Sequence, residues 1–173
     1  MAVKEIMLAG SRVLRKKAKK VTNPKTEEEL VRDLNDTLTD FRKKEGLGRG
    51  IAAPQIGISK RALYIITKEF TGEMINPKIT KHSKETSLWW DSCFSYKAAV
   101  FAKVRRWNEV EVEYCDIHSK RKTLQATGAL SELLQHEIDH LDGILFMDRK
   151  VEEGEWLIMR EEWERRGQPG EIL

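Results

Sequence analysis

The stretch "LLQHEIDHLDG", residues 133–143, carries His136, Glu137 and His140 in the pattern H-E-x-x-H. Residues four apart on an α-helix face the same way, with side-chain bases about 5–6 Å apart, so two imidazoles can reach one ion. Glu137 projects from nearly the same face, where it could take a proton from water at that ion. Leu130, Leu133, Leu134, Ile138 and Leu141 give the segment an apolar face, and Asp142-Gly143 supplies a stop. A largely buried helix over about residues 128–141 is therefore expected. Two buried histidines without partners would be costly, which favours a ligand role over a chance occurrence of the pattern.

Working outward, "NPKTEEELVRDLNDTLTDFRKKEG" (23–46) reads as a second helix. Thr26 and Glu29 form a capping box, Leu30, Leu34, Leu38 and Phe41 make an apolar stripe, and Gly46 ends it. The glycine-punctuated loop "GLGRGIAAPQIG" (46–57) follows. "RALYIIT" and "EMINPKI" read as short strands around a Thr-Gly turn, and "EVEVEYCDI" and "KTLQA" as two more. The segment "VEEGEWLIMREEWERRG" (151–167) is helical in composition, with Trp156, Met159 and Trp163 as a packing stripe. These elements predict a single α+β domain over residues 1–173, with short antiparallel strands around the H-E-x-x-H helix and helices toward both ends.

Composition narrows the function classes. A chain of 173 residues with 40% hydrophobic and 34% charged residues suits one soluble domain with its own core. The net charge of +3 is mild and its cations are interleaved with acids, so no DNA partner is expected. "RVLRKKAKKV" is the one basic cluster and reads as a solvated surface. No apolar run is long enough to span a bilayer, and "MAVKEIMLAG" lacks a secretory core, so a cytoplasmic protein is expected. Cys93 and Cys115 build no disulfide framework; each is a free thiol or a ligand.

A working metal site needs a third protein ligand. A histidine six residues after His140 would complete one known arrangement, but Phe146 stands there. Glu152, Glu153, Glu161 and Glu162 lie in a strongly charged segment that reads more simply as a solvated face. Cys115, beside Tyr114 in a strand, reads as a packed small residue. Cys93 sits in "WWDSCFSYK" (89–97), a polar bend among aromatics that would shelter a thiolate, and residue chemistry favours it over Cys115. One sulfur and two imidazoles leave a fourth position open, as catalytic sites require.

Three segments together resemble the peptide deformylases, metal-dependent amidases that remove the N-formyl group from the starting methionine of new proteins. The family carries G-Φ-G-Φ-A-A-P-Q, E-G-C-Φ-S and Q-H-E-Φ-D-H segments in that order. Here they stand as "GRGIAAPQ" (48–55), "DSCFS" (91–95) and "QHEIDH" (135–140), followed by "LDGILFMDR". The resemblance implies Cys93, His136 and His140 as metal ligands and Glu137 as general acid/base. It implies that the Gln55 amide and the Phe94 backbone N–H stabilise the oxyanion. Gly48, Arg49, Gly50, Ile51, Asp91 and Ser92 would border the substrate. One divalent ion is implied, Fe2+ in the cell, while a thiolate with two imidazoles also suits Zn2+, Ni2+ or Co2+. Implied partners are N-formylated nascent peptides, and the ribosome is a further candidate.

Three positions depart from the family pattern. Arg49 stands where an apolar residue is usual, at the edge of the substrate side-chain pocket; Asp91 replaces a glutamate and Ser92 a glycine. The segment after Ser95 also lacks the family's usual proline. Arg49 either pairs with a carboxylate-bearing substrate or points to solvent. Two further readings stand beside a deformylase of nascent chains: an amidase for another small N-formyl compound, and a non-catalytic relative that binds formyl peptides or the ribosome. Retention of Glu137, which a purely structural site does not need, argues against the last.

Overall fold

The computed structural model describes residues 3–167. Its α-helices are α1 (Glu28–Glu45), α2 (Gly128–Leu141) and α3 (Arg160–Arg165). Strands β1 (Gly50–Ala52), β2 (Ala62–Ile66), β3 (Thr71–His82), β6 (Glu109–Cys115) and β7 (Arg121–Thr127) form a five-stranded sheet in the order β1-β2-β3-β6-β7. Strands β4 (Thr86–Asp91), β5 (Val100–Trp107) and β8 (Leu157–Met159) form a second sheet, β4-β5-β8. Every pairing between named strands is antiparallel, and the domain is α+β as expected.

Period-two alternation along β2 explains why the larger sheet has helices on both sides. Leu63 and Ile65 pack with Leu133, Leu134, Ile138 and Leu141 of α2. Ala62, Tyr64 and Ile66 join Leu30, Leu34 and Leu38 of α1. Leu34 and Leu38 are fully buried; trimming either to alanine would cost about 2–5 kcal/mol. Gly46, in the left-handed conformation, ends α1 and returns its N–H to the Arg42 carbonyl.

The α2 helix lies within the protein, every residue from Leu130 to Leu141 being buried. Its last turn is tied at several points. Leu141 O accepts from Ala18 N at 2.8 Å and from Arg61 Nη1 at 3.1 Å, which satisfies a terminal carbonyl and places a cation at the negative helix end. Gly143 follows at φ +76°, where a Cβ would fall 2.9 Å from the backbone C and O of Arg15. Only glycine accommodates both the backbone conformation and the approach.

Several local expectations are corrected. The Thr26 hydroxyl donates to the Asn23 carbonyl at 2.9 Å instead of capping α1, because a 3-10 turn starting at Pro24 precedes the helix and Glu27 takes the cap position. Thr71 and Gly72 lie inside β3; the hairpin turns earlier, where Thr67 N donates to Phe70 O. Trp89, Trp90 and Asp91 are strand, not bend. Residues 151–167 are mostly not helical: Leu157–Met159 pair with β5 and only Arg160–Arg165 form helix. Of the proposed stripe, Trp163 is buried against Phe101 while Met159 is exposed.

Candidate active site

A helix buried on all sides must find partners for its ionisable groups. On α2, Glu132 pairs with Arg49 (2.7 Å) and Asp139 with Arg106 (2.5 Å) and Arg149 (2.8 Å). His136 Nδ1 bonds Asp91, whose carboxylate also accepts from Arg106 at 3.1 Å. His140 Nε2 lies 3.3 Å from Cys93 Sγ. Glu137 is the exception: it is 3% exposed and its Oε2 has no partner among the described residues.

Cys93 is delivered by the smaller sheet. β4 ends at Asp91, Ser92 Oγ donates to Val100 O at 2.8 Å, and the Cys93 carbonyl accepts from Tyr96 N and Ala98 N, both at 3.0 Å. Lys97 and Ala98 turn the chain back toward β5 at φ +57° and +48°. Two consecutive non-glycine residues in the left-handed region cost roughly 1–2 kcal/mol each. The surrounding hydrogen bonds hold that strain and fix the thiol.

Cys93 Sγ, His136 Nε2 and His140 Nε2 converge. The two imidazole nitrogens are 3.1 Å apart, and all three donor atoms lie within 4.8 Å of one another. His136 Nδ1 is engaged by Asp91, which leaves Nε2, the nitrogen facing His140, as the one available to an ion. Bond lengths of about 2.0–2.3 Å would set the donors of a tetrahedral ion roughly 3.3–3.6 Å apart, so the set fits one metal ion. A second converging group, Asp91, Glu132 and His136, shares a histidine with the first. Its carboxylates are committed to Arg106 and Arg49, which leaves Cys93, His136 and His140 as the ligand set.

The electrostatics follow from burial. Burial pushes the Glu137 carboxyl up to about 7, aided by the nearby charges of Asp91 and Glu132. His136 is also desolvated, but Asp91 outweighs that effect and holds its proton well above the usual imidazole range. Burial, then the neighbouring His136, push His140 well below it. Burial raises Glu132 and Asp91 adds to the rise, against the pull of Arg49.

Gly48, Arg49, Gly50, Gln55, Ser92, Cys93, Phe94, Leu133, His136 and Glu137 line one cleft, where about 20 Å³ remains free. Gln55 Oε1 accepts from Ala52 N at 2.8 Å, which aims its amide Nε2 at Cys93 Sγ, 3.4 Å away. Phe94 opens a 3-10 turn, where a backbone N–H has no acceptor within the turn. The glycines have steric causes. A Cβ on Gly48, at φ +116°, would lie 2.6 Å from Phe94 Cζ, and one on Gly50 would lie 2.6 Å from Glu137 Oε1.

Two residues expected to border the substrate stand elsewhere. Asp91 is fully buried behind His136, so it positions a ligand and does not face the cleft. The Ile51 side chain is fully buried in the core with Leu34 and Ile75; only its backbone lies on β1, the edge strand. Arg49 neither points to solvent nor waits for a carboxylate, because Glu132 already occupies it. The sequence reading missed Glu132, Arg106 and Asp139, whose pairing depends on contacts between distant segments.

Comparison with known proteins agrees with this geometry. A family model described as polypeptide deformylase matches residues 3–156. The peptide deformylase of Natranaerobius thermophilus is 40% identical over 153 residues, covering 88% of this chain and 95% of that one. The crystal structure of peptide deformylase from Thermotoga maritima superposes with a TM-score of 0.81 at 29% identity, covering 87% of this chain and 99% of that one. A peptide deformylase from Legionella pneumophila gives 0.78 at 34% identity, covering 87% and 88%. With three ligands convergent, an unpaired glutamate beside them and the match running through all three motifs, this chain belongs to the peptide deformylase family, the metal-dependent hydrolases that remove N-formyl groups from newly made peptides.

Proposed function

We propose that Glu137, Gln55 and the Phe94 amide deformylate N-formylated nascent peptides, with Cys93, His136 and His140 holding one divalent ion, Fe2+ in the cell. When bound, the ion supplies Lewis acidity toward the formyl oxygen and acidifies a water beside it. Glu137 accepts the proton of the attacking water and returns it to the departing amine. A carboxyl raised to about 7 suits both halves of that transfer near neutral pH. The Gln55 Nε2–H and the Phe94 N–H donate to the oxygen on which negative charge develops. The narrow cleft admits a formyl carbon, which bears only hydrogen, and turns away bulkier acyl groups.

The observation that carries this reading is Glu137, buried and unpartnered beside three convergent ligands on a helix whose other ionisable groups are matched. Substrates of this kind arise at the ribosome in the cytoplasm, the setting in which the protein would act. No described helix is long and apolar enough to cross a membrane. Formate release from N-formyl-methionyl peptide by anaerobically prepared, metal-assayed protein tests the reading. Glu137→Ala should retain metal and lose at least about 10²-fold in kcat. Equal rates for the two proteins would end the assignment of Glu137 as acid/base.

A further inference from the structure

The cleft wall that carries Gly48 is reached through an irregular stretch. α1 ends at Glu45 and β1 begins at Gly50; between them, the Leu47 and Gly48 backbones make no hydrogen bond among the described residues. Arg49 is better anchored, since its carbonyl accepts from Ile66 N at 2.8 Å and its guanidinium pairs with Glu132. The support for Leu47 and Gly48 comes from the C-terminal elements.

Arg160, the first residue of α3, forks onto the end of α1. Its Nη1 donates to Glu45 Oε2 at 2.8 Å and its Nη2 to the Glu45 carbonyl at 3.0 Å. Its Nε donates to Glu164 Oε1 at 2.8 Å, and its backbone N–H to Ala99 O at 3.0 Å, which ties the residue to the smaller sheet. The fork satisfies a terminal carbonyl and sets a cation at the negative end of α1. Leu47 then packs against Phe101 of β5, Ile158 of β8 and Trp163 of α3. Next comes Gly48, which lines the cleft and lies so close to Phe94 that a Cβ there would meet the ring at 2.6 Å. β8 and α3 lie past residue 156, where the family match ends, and neither contributes a lining residue to the cleft.

We propose that Arg160 is a positioning residue for substrate binding: through Glu45, and together with the seat of Leu47, it fixes the Leu47–Gly48 stretch in the shape that receives the formyl peptide. It touches neither the substrate nor the ligand set. Cys93, Glu137 and Gln55 are held by other parts of the fold, namely the end of β4, α2 and the Ala52 N–H. The chemistry of bound substrate is therefore independent of this brace. Without it, the peptide must order two further residues as it binds, which raises KM and spares kcat. The inference rests on the deformylase reading and adds to it a residue that shapes the peptide-binding wall.

The test measures kcat and KM for a formyl-methionyl tripeptide with metal-loaded wild type, Arg160→Ala, Leu47→Ala and the double variant, and amide hydrogen exchange across residues 46–49. Arg165→Ala, which removes an exposed pair on the same helix, is the control. Arg160→Ala should raise KM about five- to thirtyfold, leave kcat within about twofold, and speed exchange at Leu47 and Gly48. Leu47→Ala should do the same. The double variant should raise KM by less than the product of the two single effects, because both substitutions release one stretch. Arg165→Ala should match wild type throughout. An unchanged KM in Arg160→Ala, or a loss confined to kcat, would overturn the inference and leave the deformylase reading intact. No formate from wild type, with metal present, would overturn both.

Discussion

Replacing Gly50 with alanine is a sharp probe of how closely the active site is built. The added Cβ would stand 2.6 Å from Glu137 Oε1 and 2.9 Å from both Cδ and Cγ. Unbonded carbon atoms settle at about 3.5–4.0 Å, so the carboxylate or the strand must retreat by roughly 0.5–1 Å. The strand is poorly placed to move, since Gly50, Ile51 and Ala52 are all paired with β2. The glutamate therefore gives way, and Gly50 has no left-handed backbone to confuse the result. Overpacking of this kind costs about 1–3 kcal/mol, a melting-temperature loss of roughly 2–12 °C for a domain of this size. A displacement near 1 Å costs about 10²-fold in rate. Gly50→Ala should thus bind metal normally in elemental analysis, melt a few degrees lower and lose about two orders of magnitude in kcat for formate release. A variant with wild-type kcat would refute the reasoning, either because Glu137 does not act from where it stands or because β1 yields instead.

Asp91→Asn removes the carboxylate that orients His136, and metal affinity measured against a competing chelator should fall about 10–100-fold. Arg106→Met leaves Asp91 and Asp139 facing each other's side of the core without their shared cation; the urea midpoint should drop by the equivalent of about 3–5 kcal/mol. Gly143→Ala sets a Cβ 2.9 Å from the Arg15 backbone at φ +76°. Thermal melts should show a loss of more than about 1–2 kcal/mol, while formate release per folded molecule holds.

The legible parts of this chain are those in which one local signal dominates. The α2 helix was readable because its apolar spacing and its Asp-Gly stop agree, and the long helix before the first loop for the same reason. The ligands and Glu137 were readable through motifs whose order and separation match a family. Strands β4 and β5 were not. In "WWDS" and "KVRRW" the inward-facing positions include Asp91 and Arg106, charged residues buried because they pair with each other, with His136 and with Asp139, and their presence hides the alternation. The C-terminal segment misled in the opposite direction. Its glutamates and arginines favour helix locally, yet Ile158 is drawn into a strand by pairing with Phe101 across the smaller sheet. Arg49 shows the same limit: a single position looked free until Glu132, distant in sequence, was found beside it.

The two sheets contribute unequally to the ligand set, and this has a mechanical result. The sulfur arrives from the end of β4, in the three-stranded layer, and both nitrogens from a helix packed on the five-stranded one. A bound cation would therefore add a clasp to two layers that already meet through packing, the Asp91–His136 and Arg106–Asp139 pairs and the Trp107–Gln135 hydrogen bonds, closing a long chain loop much as a covalent crosslink does. Occupancy would then govern rigidity as well as chemistry: the β4–β5 hairpin, held at one corner by that clasp, should be the first part to loosen when the ion departs.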